Sequence, residues 1–109
     1  MTLEEITIDL QQPNIPPGKL SEYRLWLSAH YSYLGAKMEE VLLNKPQKWL
    51  AIRSDSGIKS DAQADREWEM TEDGQIELKC KWQIKRVEHL LSGINTRLRV
   101  MENEARNQY

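Results

Sequence analysis

Two groups of basic residues, each containing a tryptophan, are the side chains whose types and spacing could do chemistry. The first group is Lys45, Lys48, Trp49 and Arg53, and the second is Lys79, Lys81, Trp82, Lys85 and Arg86. Lysine and arginine neutralise phosphates, and an indole ring is a surface on which an unpaired base can stack. The two groups therefore predict a nucleic-acid-binding site for single strands, with little sequence preference. The alternative for Trp82 is a place in the core of a helical bundle.

No motif in the sequence predicts a catalytic, cofactor or metal site. The chain has no Gly-rich phosphate loop, no nucleophile elbow and no His/Cys pair at metal-ligand spacing, and His30 and His89 stand alone. The acidic stretch 61–77 lacks the Gly-centred pattern of a calcium loop, so we interpret it as a solvated helix face. We expect a protein that is not an enzyme and that carries no cofactor and no metal.

Composition limits the remaining classes. The 109 residues suffice for one domain; 39% are hydrophobic and 29% are charged, which suits helices with one buried and one exposed face. A net charge of −2 gives no overall attraction to nucleic acid, so binding depends on local clustering. Cys80 is the one cysteine, which is typical of a reducing cytosol, and no apolar run reaches the roughly 18 residues of a membrane span. We expect a cytoplasmic location.

The last third of the chain has a heptad pattern. Its apolar residues follow a 4-3 spacing and are Cys80, Ile84, Val87, Leu91, Ile94, Leu98 and Met101. Leu91 at position a and Ile94 at position d favour assemblies larger than a parallel dimer. The pattern predicts a homo-oligomer that associates through residues 84–101. Burial of this seam against a helix of the same chain is the alternative, and both can hold at once.

The remaining segments predict an all-α fold. We expect an extended, Pro-containing N-terminal arm over 1–18, which is either a loose terminus or a docking segment for a neighbouring subunit. A single helical domain follows over 19–109. It consists of a helix over about 20–53 kinked near Pro46, a turn over 54–59, and a helix over about 60–107 weakened near Gly74. The two long helices form a hairpin.

The order of these parts resembles the UvsY-type recombination mediators of tailed phages. The similarity lies in three places: Tyr23-Arg24-Leu25-Trp26-Leu27 at a helix start, the basic stretch Lys45–Arg53, and Leu90-Leu91-Ser92-Gly93-Ile94-Asn95 in the last helix. It spans about 85 residues from Ser21 onward. The resemblance implies an all-helical, ring-like homo-oligomer that binds single-stranded DNA. It also implies partners, namely a RecA-like recombinase and a single-strand-binding protein.

Within this resemblance, Lys45, Lys48 and Arg53 match the basic helical stretch of the family, and the helix with Leu91 and Ile94 matches its assembly region. The mildly acidic pI of about 5.7 departs from the family pattern. Two functions remain open. One is a recombination mediator that binds single-stranded DNA. The other is a protein-only helical adaptor or inhibitor, for phage assembly or against host defence, that docks through the acidic stretch 61–77.

Overall fold

Four helices make up the regular structure of residues 1–107, which are the residues that the computed structural model describes. They are α1 (Leu3–Asp9), α2 (Pro17–Arg53), α3 (Asp61–Met70) and α4 (Glu72–Asn107). No strand occurs within this range, so the all-α prediction is confirmed, and the long C-terminal helix is present. None of the helices in the described range is long and apolar enough to cross a membrane.

The helices form two compact units. One unit combines Met1–Ser32 with the segment that begins at Lys85, and the other is Tyr33–Ile84. Helices α2 and α4 each contribute to both. We call these the terminal unit and the central unit.

The N-terminal segment is where the terminal unit departs from the sequence-based prediction. Residues 3–9 form helix α1, so the predicted extended arm is wrong there, and the Pro-containing part that follows consists of turns and irregular chain up to α2. The Thr2 hydroxyl oxygen accepts from the Glu5 backbone N–H, and the Glu5 carboxylate accepts from the Thr2 backbone N–H, which is a complete capping box. Leu3 and Ile6 share one buried face of the helix. This burial stabilises a helix of seven residues that would not form alone.

Polar contacts fasten the same segment within the terminal unit. The Tyr23 hydroxyl donates to the Asp9 carboxylate, and the Arg97 guanidinium donates to the carbonyl oxygens of Leu10 and Gln12. The Tyr23 side chain is buried. Residues 3–12 are therefore fastened to their own unit and are not a loose terminus, whereas docking on a neighbouring subunit stays a prediction.

Prolines mark the start of α2 and leave its middle intact. Pro17 is the first residue of α2, a position that needs no N–H donor, and the Pro16 carbonyl accepts from the Leu20 N–H at 3.1 Å. The helix continues through Pro46, so the predicted kink does not become a break. Pro46 lies on the exposed side, where water can hydrate the Leu42 carbonyl that lacks its helical donor.

The weak point predicted at Gly74 lies at Thr71 instead. Thr71 ends α3 in an extended conformation, and its hydroxyl oxygen accepts the Gly74 N–H at 3.0 Å, which caps the start of α4. Gly74 is buried against the backbone of Trp68. The close contact with α3 therefore requires a glycine at this position, and Gly74 does not interrupt α4.

Candidate nucleic-acid interface

In the central unit, carboxylates of the acidic stretch form ion pairs with the charged residues of the first basic group. Lys45 pairs with Glu77 at 3.0 Å, and Lys48 pairs with Asp73. Because the partner number falls as the lysine number rises, α2 and α4 run antiparallel here.

The remaining two members of this group contact α3. The Arg53 Nε donates to Asp61 at 2.8 Å, and the Trp49 indole N–H donates to Asp65 at 2.8 Å. Every predicted DNA contact of the first group therefore has an acidic partner within its own unit.

Lys45 belongs to a half-buried cluster with Trp68 and Glu77. The lysine Nζ lies 5.4 Å from the centre of the Trp68 ring, and the Trp68 indole N–H donates to Glu77 at 2.6 Å. Both carboxylate oxygens of Glu77 are thus engaged, one by an ammonium and one by an indole. Hydrogen bonds to charged groups in such partly buried sites stabilise a fold by about 1.5–3 kcal/mol. This arrangement holds α3 in place and leaves Lys45 poorly placed to meet a phosphate.

The second basic group contains the exposed part of the predicted site. Lys79, Lys81 and Trp82 lie on α4 in the central unit; all three are exposed, and Trp82 retains 60% of its accessible surface. Leu78, one turn before Trp82, is 40% exposed. We call these four residues the α4 patch. A large exposed indole beside two cations is the combination on which a base can stack while its phosphates are neutralised.

The last two members of the second group belong to the terminal unit. Lys85 is exposed, and Arg86 forms an ion pair with Glu4 at 2.9 Å. The Arg86 guanidinium also lies 3.5 Å from the Thr7 hydroxyl. Arg86 thus contributes to the attachment of α1.

One cavity contains a cation from each basic group, as expected if the groups line a common groove. Its volume is about 280 Å³, and Lys45 and Lys81 both lie on its wall. The same wall carries Asp65, Glu69 and Glu77. The groove therefore has mixed charge, which disfavours a polyanion and leaves the exposed α4 patch as the better site.

The acidic stretch is not a fully solvated face. Within residues 1–107, no group of three or more His, Cys, Asp or Glu side chains is placed to hold a metal ion. Four of its seven carboxylates contact the first basic group, and Glu67, Glu69 and Glu72 remain exposed. The sequence reasoning missed these partners. The available signal was a basic stretch and an acidic stretch on either side of a short turn.

The predicted assembly seam divides by heptad position. Val87 and Ile94, at position d, are fully buried within the single chain, and Cys80 is 3% exposed. Position a is less covered, since Leu91 and Leu98 are half-buried. Ile84, also at position a, is half-buried as well, and Met101 is the half-buried exception at position d. One edge of the seam is therefore shielded from within the chain, and the other keeps surface for a further helix.

Two tyrosines in the terminal unit have perturbed acidities. The hydrogen bond to Asp9, together with burial, raises the pKa of Tyr23 to about 12. A hydrogen bond to Glu88 raises the pKa of Tyr31 from its ordinary value. Both phenols act as donors to carboxylates, so they fasten the helices and offer no general base.

Comparisons with known proteins leave the interface to be interpreted from its own residues: no protein-family model, no curated protein and no solved structure matches the chain.

Proposed function

We propose that this chain is a non-enzymatic helical protein that binds single-stranded DNA through the α4 patch and acts as a recombination mediator. The observation that carries the proposal is the exposed Trp82 indole with Lys79 and Lys81 beside it. Stacking on the indole and neutralisation by the lysines give binding that depends on salt and tolerates any sequence. The resemblance to UvsY-type mediators supports the same role and proposes a RecA-like recombinase and a single-strand-binding protein as partners.

Fluorescence anisotropy with labelled oligo-dT at increasing salt tests the DNA part. Trp82→Ala and a Lys79→Ala/Lys81→Ala double variant should both weaken binding. The double variant should also flatten the dependence of log K on log salt by about 1.4, because each phosphate contact on a single strand contributes about 0.7.

A Lys59→Ala/Arg66→Ala variant is the matched control, since it removes the same charge from exposed positions of the central unit. Equal weakening by both double variants would assign binding to net charge and would remove the α4 patch from the proposal. No binding by the wild-type protein at low salt would refute DNA binding altogether.

Self-association belongs to the proposal as well. The half-buried Leu91 and Leu98 at position a provide apolar surface for a helix from another copy. Light scattering on wild type and Leu91→Asp tests this, with circular dichroism to check that the variant stays helical. An unchanged mass for a helical Leu91→Asp protein would exclude the seam as an assembly surface.

A protein-only adaptor is the second candidate, favoured by one specific observation. Lys45, Lys48 and Arg53 each have a carboxylate partner, which leaves the predicted site with few available cations. The exposed Glu67, Glu69 and Glu72 would then dock a basic protein partner. Recovery of the same host protein by wild type from nuclease-treated lysate, and its loss with a triple Gln variant, would favour this function.

A further inference from the structure

An exposed apolar face lies on α2 in the central unit. Leu42 is 40% exposed and Leu43 is 74% exposed. Together with Gly35, Met38 and Glu39, these leucines line a depression of about 370 Å³. Contiguous exposed apolar surface of this kind marks interaction sites in water-soluble folds. Glu39 provides the one charged side chain on its wall.

A second exposed apolar row lies on α4 of the same unit, at the same level along the helix axes. The pairs Lys45–Glu77 and Lys48–Asp73 set the register of the antiparallel helices, which places 39–42 opposite 79–82. There, Leu78 and Trp82 are one turn apart and point to one side of α4. The cations Lys79 and Lys81 flank this row, whereas the charged residue on the α2 face is the carboxylate Glu39.

We propose that these two rows bind each other between two copies of the chain, around a twofold axis parallel to the helices. Such an axis keeps equivalent residues of the two copies at the same level and lays α2 of one copy beside α4 of the other, so each row meets its complement in the other copy. The Trp82 indole of one copy enters the depression at Leu42 and Leu43 of the other, and Lys81 meets Glu39. The result is a packing of four helices with two identical contacts.

This interface is distinct from the heptad seam at Leu91 and does not rest on DNA binding. It shares Trp82 and Lys81 with the α4 patch, so a protomer uses that indole for either a second copy or a base. Glu39 lies outside the α4 patch. Substitution of Glu39 therefore separates the two uses.

Charge reversal with light scattering tests the interface. Glu39→Lys and Lys81→Glu should each halve the measured mass at a concentration where wild type is associated. The Glu39→Lys/Lys81→Glu double variant should restore the wild-type mass, because it rebuilds the pair in the opposite sense. Glu40→Lys is the matched control, since this exposed neighbour carries the same charge change and does not line the depression.

The outcomes are distinct. A monomeric wild-type protein, equal mass loss in Glu39→Lys and Glu40→Lys, or no recovery in the double variant would each overturn the proposed interface. Circular dichroism confirms that each variant is folded. Anisotropy with oligo-dT on Glu39→Lys distinguishes this interface from DNA binding. Retained DNA binding together with a halved mass supports the interface. If the wild-type protein does not bind DNA, the mass measurements still decide whether the interface exists.

Discussion

Gly74 packs so closely on Trp68 that a Cβ built at residue 74 would lie 1.9 Å from the Trp68 carbonyl oxygen. The obstacle is backbone, which cannot rotate away as a side chain would. This contact lets α4 start directly under the end of α3 and positions Trp68 to meet Glu77. It is the tightest constraint on the central unit.

Gly74→Ala should therefore destabilise the protein. We expect a loss of about 2–3 kcal/mol, because overpacking forces the two helices apart. Thermal and urea unfolding measure this change. Gly93→Ala is the control: a Cβ built at this position in α4 would meet no atom within 4 Å beyond the local helix backbone, so alanine there should stabilise by about 0.5–1 kcal/mol. Similar stabilities for the two variants would contradict the close packing at Gly74.

Glu77→Ala should also destabilise, by about 2 kcal/mol, because it removes the acceptor of the Trp68 indole and the counter-ion of Lys45. Urea unfolding followed by tryptophan fluorescence measures the loss. Glu67→Ala changes an exposed residue in the middle of α3 and should stay within about 0.5 kcal/mol of wild type. An effect no larger than that of Glu67→Ala would mean that the Lys45–Trp68–Glu77 cluster contributes little.

Tyr23 should make stability depend on pH in the alkaline range. Its pKa is raised to about 12, so the folded protein holds the phenolic proton more tightly than the unfolded chain, in which the value is 10.0. The stabilisation is therefore complete below pH 10 and is lost as the pH rises toward 12.

Ultraviolet titration of phenolate formation, run beside alkaline unfolding, checks this dependence. Tyr23→Phe should abolish the late-titrating phenol and lower stability at neutral pH by about 1–2 kcal/mol. Tyr31→Phe removes the other phenol whose pKa is raised and should leave the step near pH 12 in place. A late step that survives in Tyr23→Phe would assign it to another group.

The two edges of the heptad seam should respond differently to truncation. Ile94→Ala should cost about 2–4 kcal/mol, because Ile94 is fully buried and its loss leaves a cavity. Leu91→Ala should cost less in a dilute sample, since Leu91 is half-buried. Urea unfolding at low protein concentration ranks the pair. The reverse order would show that position a, rather than position d, faces the interior.

The periodicity of apolar residues in the sequence was sufficient to predict the all-α fold class. Leucines, tyrosines and valines at spacings of three and four predicted α2, and the 4-3 pattern predicted α4, because a helix that buries one face needs this repeat. The short helix α1 was missed. The available signal was the capping-box spacing of Thr2 and Glu5, and burial of Leu3 and Ile6 in the terminal unit decided the conformation.

DNA binding by the candidate site stays a prediction, and the surroundings of its residues could be anticipated only in part. The exposure of Lys79, Lys81 and Trp82 agrees with a binding surface, whereas the pairing of Lys45, Lys48 and Arg53 with carboxylates was not anticipated. Residue types in a sequence do not reveal which charges meet after a turn. That depends on the register between α2 and α4 and on the close contact at Gly74, both of which are tertiary properties.

The burial of Cys80 has a practical consequence. It is the one sulfhydryl of the chain and is 3% exposed at position d of α4. A thiol reagent can reach it only when α4 separates locally from its neighbours, so the alkylation rate measures the frequency of that opening. The chain thereby carries a single natural probe for the local opening of α4.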